Sequence, residues 1–382
     1  SDLEDRYDIK SRDADWWRIS NPRNEELFDS DRPRILTPFM STSNKFSLDT
    51  KHHFNDGGDI RAIFPKDSAD LDIEYVLALL NSMPCEYYHK NTAKLKRDNY
   101  YEYYSNSVEK IPIPTINFSL SEKERLEATE DFIGKYESYL QGNIPIPLPD
   151  IEEITHDFLA ELANRISSFK QEHYSLNLNL LDYLGIPRDK LPDSMAGETI
   201  KEIHMPVAGV ADTALTKTTD EYEGLRIEGV MFKHDSERLV LSVDISYKVD
   251  EDDPRETDRW DRLAESEFET YEAMAFVGLS DAEEMLLREF VPVAVEEAGG
   301  FAGFRQDATK TNSPLDRLKD LTLPDIDEVQ TGLEQYIEVR ERADELEEKI
   351  DKTDQLIDEI VYDLYGLTDE EIEIVESSVQ DD

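Results

Sequence analysis

The sequence predicts an α+β protein: a mixed α/β first domain, a helical connector, a second and smaller α+β unit, and a long amphipathic helix at the C-terminal end. Three observations predict it. Short alternating apolar runs bounded by turn residues occur in two separate stretches, near 34–64 and 225–279. Apolar stripes of helical period follow each of them. The last stripe, from Val329 to Leu364, is the longest. At 382 residues the chain also exceeds one ordinary domain of roughly 100–200 residues. The expected segments are 1–120, 121–185, 186–312 and 313–382.

In the first segment, Arg34-Ile35-Leu36-Thr37-Pro38-Phe39 reads as a short strand. Asn55-Asp56-Gly57-Gly58-Asp59 is a turn, and Ile60 to Phe64 alternates as a second strand. Ile73 to Asn81 puts Ile73, Val76, Leu77 and Leu80 on one helix face. Ile111-Pro112-Ile113-Pro114 is extended, because each proline disfavours helix before it and lacks an N–H donor. Ser119 to Leu140 predicts a helix, opened by the capping pattern Ser121-Glu122-Lys123-Glu124. A proline hinge over 144–149 precedes a helix from about Ile151 to Tyr174, and 179–192 reads as a loop-rich connection.

In the third segment, Leu225 to Phe232 and Leu239 to Ile245 predict a hairpin turning at Asp235-Ser236-Glu237. Phe268 to Leu279 is a further strand; Ser280 caps a helix that Gly299-Gly300 stops. From Val329 the positions Leu333, Tyr336, Ala343, Leu346, Ile350, Thr353, Ile357, Ile360 and Leu364 fall mostly three and four apart, the seam of one long helix. Gly366 ends it, and Thr368 caps a short helix over Glu371 to Val375.

The chain carries 88 Asp+Glu against 41 Lys+Arg, a formal net charge of −47. Its 38% of apolar residues, with 18 Tyr and 15 Phe, can still build cores, so the acid does not signal disorder. Carboxylates in such excess coat the surface and repel one another until salt screens them, the Debye length being about 3 Å at 1 M. The composition suits a salt-accumulating halophile; an acidic protein with basic partners is the other reading. One cysteine, Cys85, rules out a disulfide within the chain and suits a reducing, cytoplasmic setting. No stretch approaches 18 apolar residues, so no membrane span is expected. The chain opens Ser1-Asp2-Leu3, as a processed or excised chain would.

Glycine-rich phosphate loops, a zinc-protease helix and a hydrolase nucleophile elbow are all missing from the sequence. The run 250–255 resembles a calcium loop, but Arg255 stands where the turn needs glycine. Pro324-Asp325 with Glu347-Glu348-Lys349 spells a nuclease motif, yet some twenty residues of helix, about 33 Å, would separate the carboxylates. No metal site is expected.

The informative feature is where acid is scarce. Residues 31–112 hold 11 Lys+Arg and 12 Asp+Glu, whereas the remainder of the chain carries −46. Tyr87 to Tyr101 gathers Lys90, Asn91, Lys94, Lys96, Arg97 and Tyr100. Cations and amides contact phosphates, Arg, Lys and Asn read base edges, and tyrosine stacks on a splayed base. The same residues also suit core packing and a local salt-bridge surface. Lys45, Lys51 and His52-His53, beside Ser41-Thr42-Ser43-Asn44, form a second cationic point in loop-favouring sequence.

Trp16-Trp17-Arg18-Ile19, Pro33-Arg34-Ile35-Leu36-Thr37-Pro38, Phe46-Ser47-Leu48-Asp49, Leu77-Ala78-Leu79-Leu80-Asn81-Ser82 and Ile111-Pro112-Ile113-Pro114 occur in that order. Together they resemble the TaqI-like C-terminal specificity domain of adenine-N6 DNA methyltransferases, as found in type IIG restriction-modification enzymes and in the methyltransferase of BREX phage defence. Ile357 to Thr368 resembles the helix end that closes many such proteins. The resemblance covers about 10–120 and 315–382. It implies a DNA target-recognition domain that works with a methyltransferase domain in the same or another chain and with double-stranded DNA.

In that family the catalytic half carries an Asn/Asp-Pro-Pro-aromatic turn and a glycine-rich S-adenosylmethionine loop. The nearest spelling here, Asn21-Pro22-Arg23, lacks the second proline and the aromatic. This chain is therefore expected not to methylate alone and to hold no cofactor, S-adenosylmethionine belonging to the parent enzyme. The expected DNA contacts are Lys45, Lys51, His52, Lys90, Asn91, Lys94, Lys96, Arg97 and Tyr100. Two rival readings are a helical partner-binding module that leaves DNA alone and an enzyme with its site in 196–312.

Overall fold

Strands form where the alternating runs lie, and one buried row draws them into a sheet. The computed structural model describes residues 32–51, 53, 59–66, 70–96, 99–142, 145–187, 197–250, 252–296 and 310–380. β1 (Arg34–Pro38), β2 (Met40–Ser41), β3 (Ser47–Asp49) and β4 (Ile60–Ile63) come first. β1 is central in an antiparallel sheet ordered β3-β1-β4, with Ile35 opposite Leu48 on one side and Ile63 on the other. The turn expected at Asn55–Gly58 lies outside the described residues.

α1 (Ile73–Asn81) and α2 (Met83–Thr92) follow, with Ser82 between them. The sequence shows one apolar face on α1, but the helix is buried more widely: Ile73, Tyr75, Leu77, Ala78, Leu79 and Leu80 are all covered. It packs against α5 as well as the sheet, so it has more than one dry side. β5 (Tyr101–Glu102) pairs with β2, and α3 (Ser105–Val108) is a single turn. α4 (Glu122–Leu140) opens with the expected capping box, Ser121 and Glu124 each bonding the other's backbone N–H. α5 (Glu152–Ser175) follows the proline segment.

The region read as a loop near 179 contains α6 (Leu180–Leu184), closed by Gly185 at φ 66°. Leu180, Leu181 and Leu184 are buried, and five residues are too few to show a helical period in sequence. α7 (Ile200–Ile203) and β6 (Met205–Pro206) precede the predicted hairpin of β7 (Arg226–Asp235) and β8 (Arg238–Ser246). With β9 (Glu269–Phe276) these make an antiparallel sheet ordered β6-β9-β8-β7, and α8 (Asp281–Glu296) packs on β7. α9 (Pro314–Lys319) leads to α10 (Ile326–Tyr365), whose 40 residues span about 60 Å. Gly366, at φ 66°, ends it as expected. α11 (Asp369–Gln380) is longer than the sequence predicts, Thr368 and Glu371 forming its cap.

The chain divides into two compact units, Ser1–Ser175 with Glu345–Asp382, and Leu176–Asp344. The core of the first gathers Ile35, Tyr75, Leu79, Phe158 and Leu162 with Leu356, Ile357 and Ile360 of α10. The core of the second gathers Leu241, Val243, Phe276, Leu287 and Phe290 with Val329 and Leu333 of the same helix. The architecture is the α+β mixture that the sequence predicts. Among the described residues, no helix is long and apolar enough to cross a membrane.

Candidate nucleic-acid interface

The first cationic point is built by a buried ion pair. Arg34 on β1 faces Asp49 on β3, Nε to Oδ2 at 2.8 Å, with both side chains almost fully buried. Asp49 also accepts the N–H of Lys51 at 3.1 Å and of His53 at 3.0 Å, and meets the His53 ring at 2.9 Å. Burial alone would raise the Asp49 pKa. Arg34, His53 and the backbone donors outweigh it and hold the carboxyl at about 2. A permanent anion inside the loop therefore holds Lys51 and His53 by their backbone, and the Lys51 side chain is exposed. Asn44 is fixed as well: its backbone N–H donates to Glu86, its side chain donates to Leu80 O, and it accepts from the Tyr103 hydroxyl. That leaves Lys45, next in sequence, exposed.

Lys45, Lys51, His53 and Lys170 line a cleft of about 830 Å³ within the first unit. Among the described residues, neither Lys45 nor Lys51 forms an ion pair. Its other walls include Asn81, Asp354 and Asp358.

The second cationic stretch is part helix and part hairpin. Tyr87 to Thr92 belong to α2. There Asn91 is exposed, its amide donating to Tyr87 O one turn back at 2.8 Å. Lys90 is mostly buried, its ammonium 3.2 Å from Glu86 and 6.0 Å from the centre of the Tyr101 ring. Beyond α2 the chain doubles back: Glu102 N–H donates to Lys94 O and Lys96 N–H to Tyr100 O, with Leu95 opposite Tyr101. Asn99 supplies the left-handed residue of the turn, at φ 57°. Lys94, Lys96 and Tyr100 are exposed on this hairpin, and Lys96 meets Glu102 at 2.5 Å.

Lys94 also lines a second cleft, of about 520 Å³, with Lys110, Tyr104, Ser105 and Asn106. Neither of its lysines is ion-paired among the described residues. Nearby, the Arg61 guanidinium lies 5.0 Å from the ring centres of both Phe39 and Tyr104. Of the expected contacts, the fold thus joins Lys45 with Lys51 and places Lys94, Lys96 and Tyr100 on one hairpin. His52 and Arg97 lie outside the described residues. Sequence reasoning missed Lys110, Lys170 and Tyr104, which reach the clefts through folding and carry no local signal.

Among the described residues, the one group of side chains that could hold a metal is already satisfied internally. Asp72, His156 and Asp157 bring ligand atoms within 4.8 Å of one another. Yet His156 Nε2 accepts the Asp72 N–H at 3.1 Å, and Nδ1 meets Asp157 Oδ1 at 2.8 Å, so no lone pair is left to give. Asp157 is also bound by Arg125 at 2.7 Å. In the calcium-like run, Arg255 grips Asp253 with two bonds of 2.9 Å and Glu269 with a third of 2.9 Å. Arg255, which stands where a calcium loop needs glycine, thus fills the place of a cation beside Asp253.

A comparison of the chain with curated proteins gives no match. Residues 5–113, which include β1 to β5, the Lys45–Lys51 loop and the Lys94–Tyr101 hairpin, match the family described as the TaqI-like C-terminal specificity domain.

Proposed function

We propose that this chain is the sequence-reading part of an adenine-N6 DNA methyltransferase, of the restriction-modification or BREX phage-defence kind, and is not catalytic by itself. One observation carries the reading. In a chain with more than twice as many carboxylates as cations, four lysines within residues 31–112 (Lys45, Lys51, Lys94 and Lys110) face clefts without an ion pair to any described residue. An unpaired ammonium in such surroundings is kept for an anion from outside, and a phosphate backbone supplies one. The match to a specificity domain over the same stretch supports DNA as that anion.

In this reading Lys45, Lys51, Lys94, Lys96 and His52 bind phosphates and set the register. Asn91 and Arg97 read base edges, and Tyr100 stacks. Lys90 joins them only by leaving Glu86, and Lys96 only by leaving Glu102. The long helix α10 orients the module against a methyltransferase body that binds S-adenosylmethionine. Because the overall field is negative, encounter depends on local contact and on salt that screens the acidic coat, as in the cytoplasm of a halophile.

Fluorescence anisotropy with a randomised duplex library tests this. Lys94→Ala/Lys96→Ala should weaken binding to all sequences alike, whereas Asn91→Ala should relax a preference. An unchanged affinity in the lysine double variant would overturn the placement.

A second reading, a partner-binding module, has its own observation. Trp260, at the tip of a turn tied by Asp258, is 58% exposed with Arg259 4.7 Å from its ring centre. Tryptophan and arginine are typical anchors of protein interfaces. A stable dimer by light scattering, with no duplex binding, would favour that reading.

A further inference from the structure

Asp358 lies on α10 and is 8% exposed. Its Oδ1 accepts the N–H of Met83, the first residue of α2, at 2.7 Å. Ser82, the residue before α2, makes no side-chain cap bond to that helix end; its hydroxyl turns back and donates to Leu79 O at 2.7 Å. A carboxyl from far along the chain therefore takes the place of a local cap. The same residue lines the cleft of Lys45 and Lys51.

The groups around Asp358 come from every neighbouring element. α2 contributes Glu86 and the buried Cys85 thiol, α10 itself Asp354 and Tyr362, and α11 Glu376. On α5, Lys170 stands 4.0 Å from Asp354. Lys45, Lys51, His53 and the Arg34-bound Asp49 are on the remaining cleft walls. Burial, the largest influence, pushes the Asp358 carboxyl up to about 7, helped by its acidic neighbours and opposed by the Met83 N–H. The carboxyl is thus divided between a helix end that favours its anion and a dry, acidic setting that favours its neutral form.

We propose that Asp358 is a positioning residue that takes up a proton from solvent when a DNA phosphate enters the Lys45–Lys51 cleft. The inference rests on the DNA-reading function proposed above. A phosphate in the cleft adds negative charge beside a carboxyl shielded from water, which disfavours the anion. The neutral acid keeps a carbonyl oxygen for the Met83 N–H, so α2 stays capped; the only new bond is O–H on the other oxygen. Linkage then gives the sign. Affinity is highest when Asp358 is already protonated and falls as pH rises above its value in the free protein. The fall is at most tenfold per pH unit for one proton, and levels off above the value in the complex.

The test is a series of duplex affinities from about pH 6 to pH 9 at constant salt, on the full chain. His53 faces the same cleft, so the series uses His53→Gln as background to leave Asp358 without an imidazole beside it. Affinity should fall several-fold with rising pH in that background and become flat on adding Asp358→Asn, which keeps the acceptor for Met83 without a titrating group. Calorimetry of the unaltered protein in buffers of different ionisation enthalpy should show proton uptake near pH 7, so the inference stays testable even if the Asn variant fails to fold. Duplex binding without proton uptake, or a pH slope that survives Asp358→Asn, would overturn the proposal while leaving DNA reading intact. Absence of duplex binding at every pH would overturn the DNA reading itself.

Discussion

Cations are used differently in the two parts of this molecule. In Leu176–Asp344, 18 Lys+Arg stand among 40 Asp+Glu, and many of them are held. Lys248 meets Glu223 at 2.7 Å, Lys233 meets Glu272 at 2.8 Å, Arg288 meets Glu284 at 2.7 Å, and Arg255 grips Asp253 and Glu269. In residues 31–112, with far less acid, the cations are used in more than one way. Arg34 and Lys90 are buried beside Asp49 and Glu86, Lys96 is exposed but bonded to Glu102, and Lys45, Lys51, Lys94 and Lys110 face clefts. In the proposed reading, whether a cation has a carboxylate partner distinguishes surface fabric from a place kept for an outside anion. Composition cannot make that distinction, because both sorts are spelled Lys or Arg.

The largest test of this contrast is Arg34→Ala. It leaves the Asp49 charge buried without its main partner, a change that costs about 3–5 kcal/mol. Chemical denaturation should show that loss. Asp49 is held at about 2, well below an ordinary carboxylate near 4. Its contribution is complete above pH 4 and is lost as pH falls through 2, so acid should weaken the native protein more than the variant over that window. Equal acid sensitivity in both would mean that Asp49 is held down by something other than Arg34.

Lys45→Gln/Lys51→Gln should do the opposite, leaving stability unchanged and altering binding. Two lost phosphate contacts lower the slope of log affinity against log salt by about two. An unchanged slope would remove both residues from the interface.

Much of the scaffold for these contacts is legible in sequence, and the reason is local. β1, β4 and α1 show their own apolar period, Ser121 and Glu124 show their own cap, and Gly366 shows its own stop. α2 is not legible, since Met83 to Thr92 carry no apolar stripe. Its stability comes from Cys85 and His89 buried in the fold and from the Met83 N–H bonded to Asp358, 275 positions away. The same distance hides the clefts. Lys45 and Lys51 are close in sequence and their grouping is visible there, but Lys170 joins them from α5 and Lys110 joins Lys94 from beyond α3. Lys90, which the sequence groups with the free cations, is bound by Glu86 within its own helix, a pairing that i,i+4 spacing permits but does not announce.

Lys248→Gln is expected to have the smallest effect, and it sharpens the contrast most. Lys248 is bonded to Glu223 at the surface of the second unit, and such exposed pairs contribute little to stability. The variant makes the chain more acidic by one charge, as each single lysine variant in the first unit does. If DNA sensed only the total charge, Lys248→Gln would weaken binding as much as Lys45→Gln. If a phosphate instead seeks an ammonium without a carboxylate partner, Lys248→Gln should leave both affinity and salt slope where they were while Lys45→Gln lowers both. An ammonium already bonded to a carboxylate offers a phosphate little net charge, whereas a cleft-lining ammonium in contact with phosphate is screened little by salt. The same salt titration on the two single variants decides between total charge and local pairing.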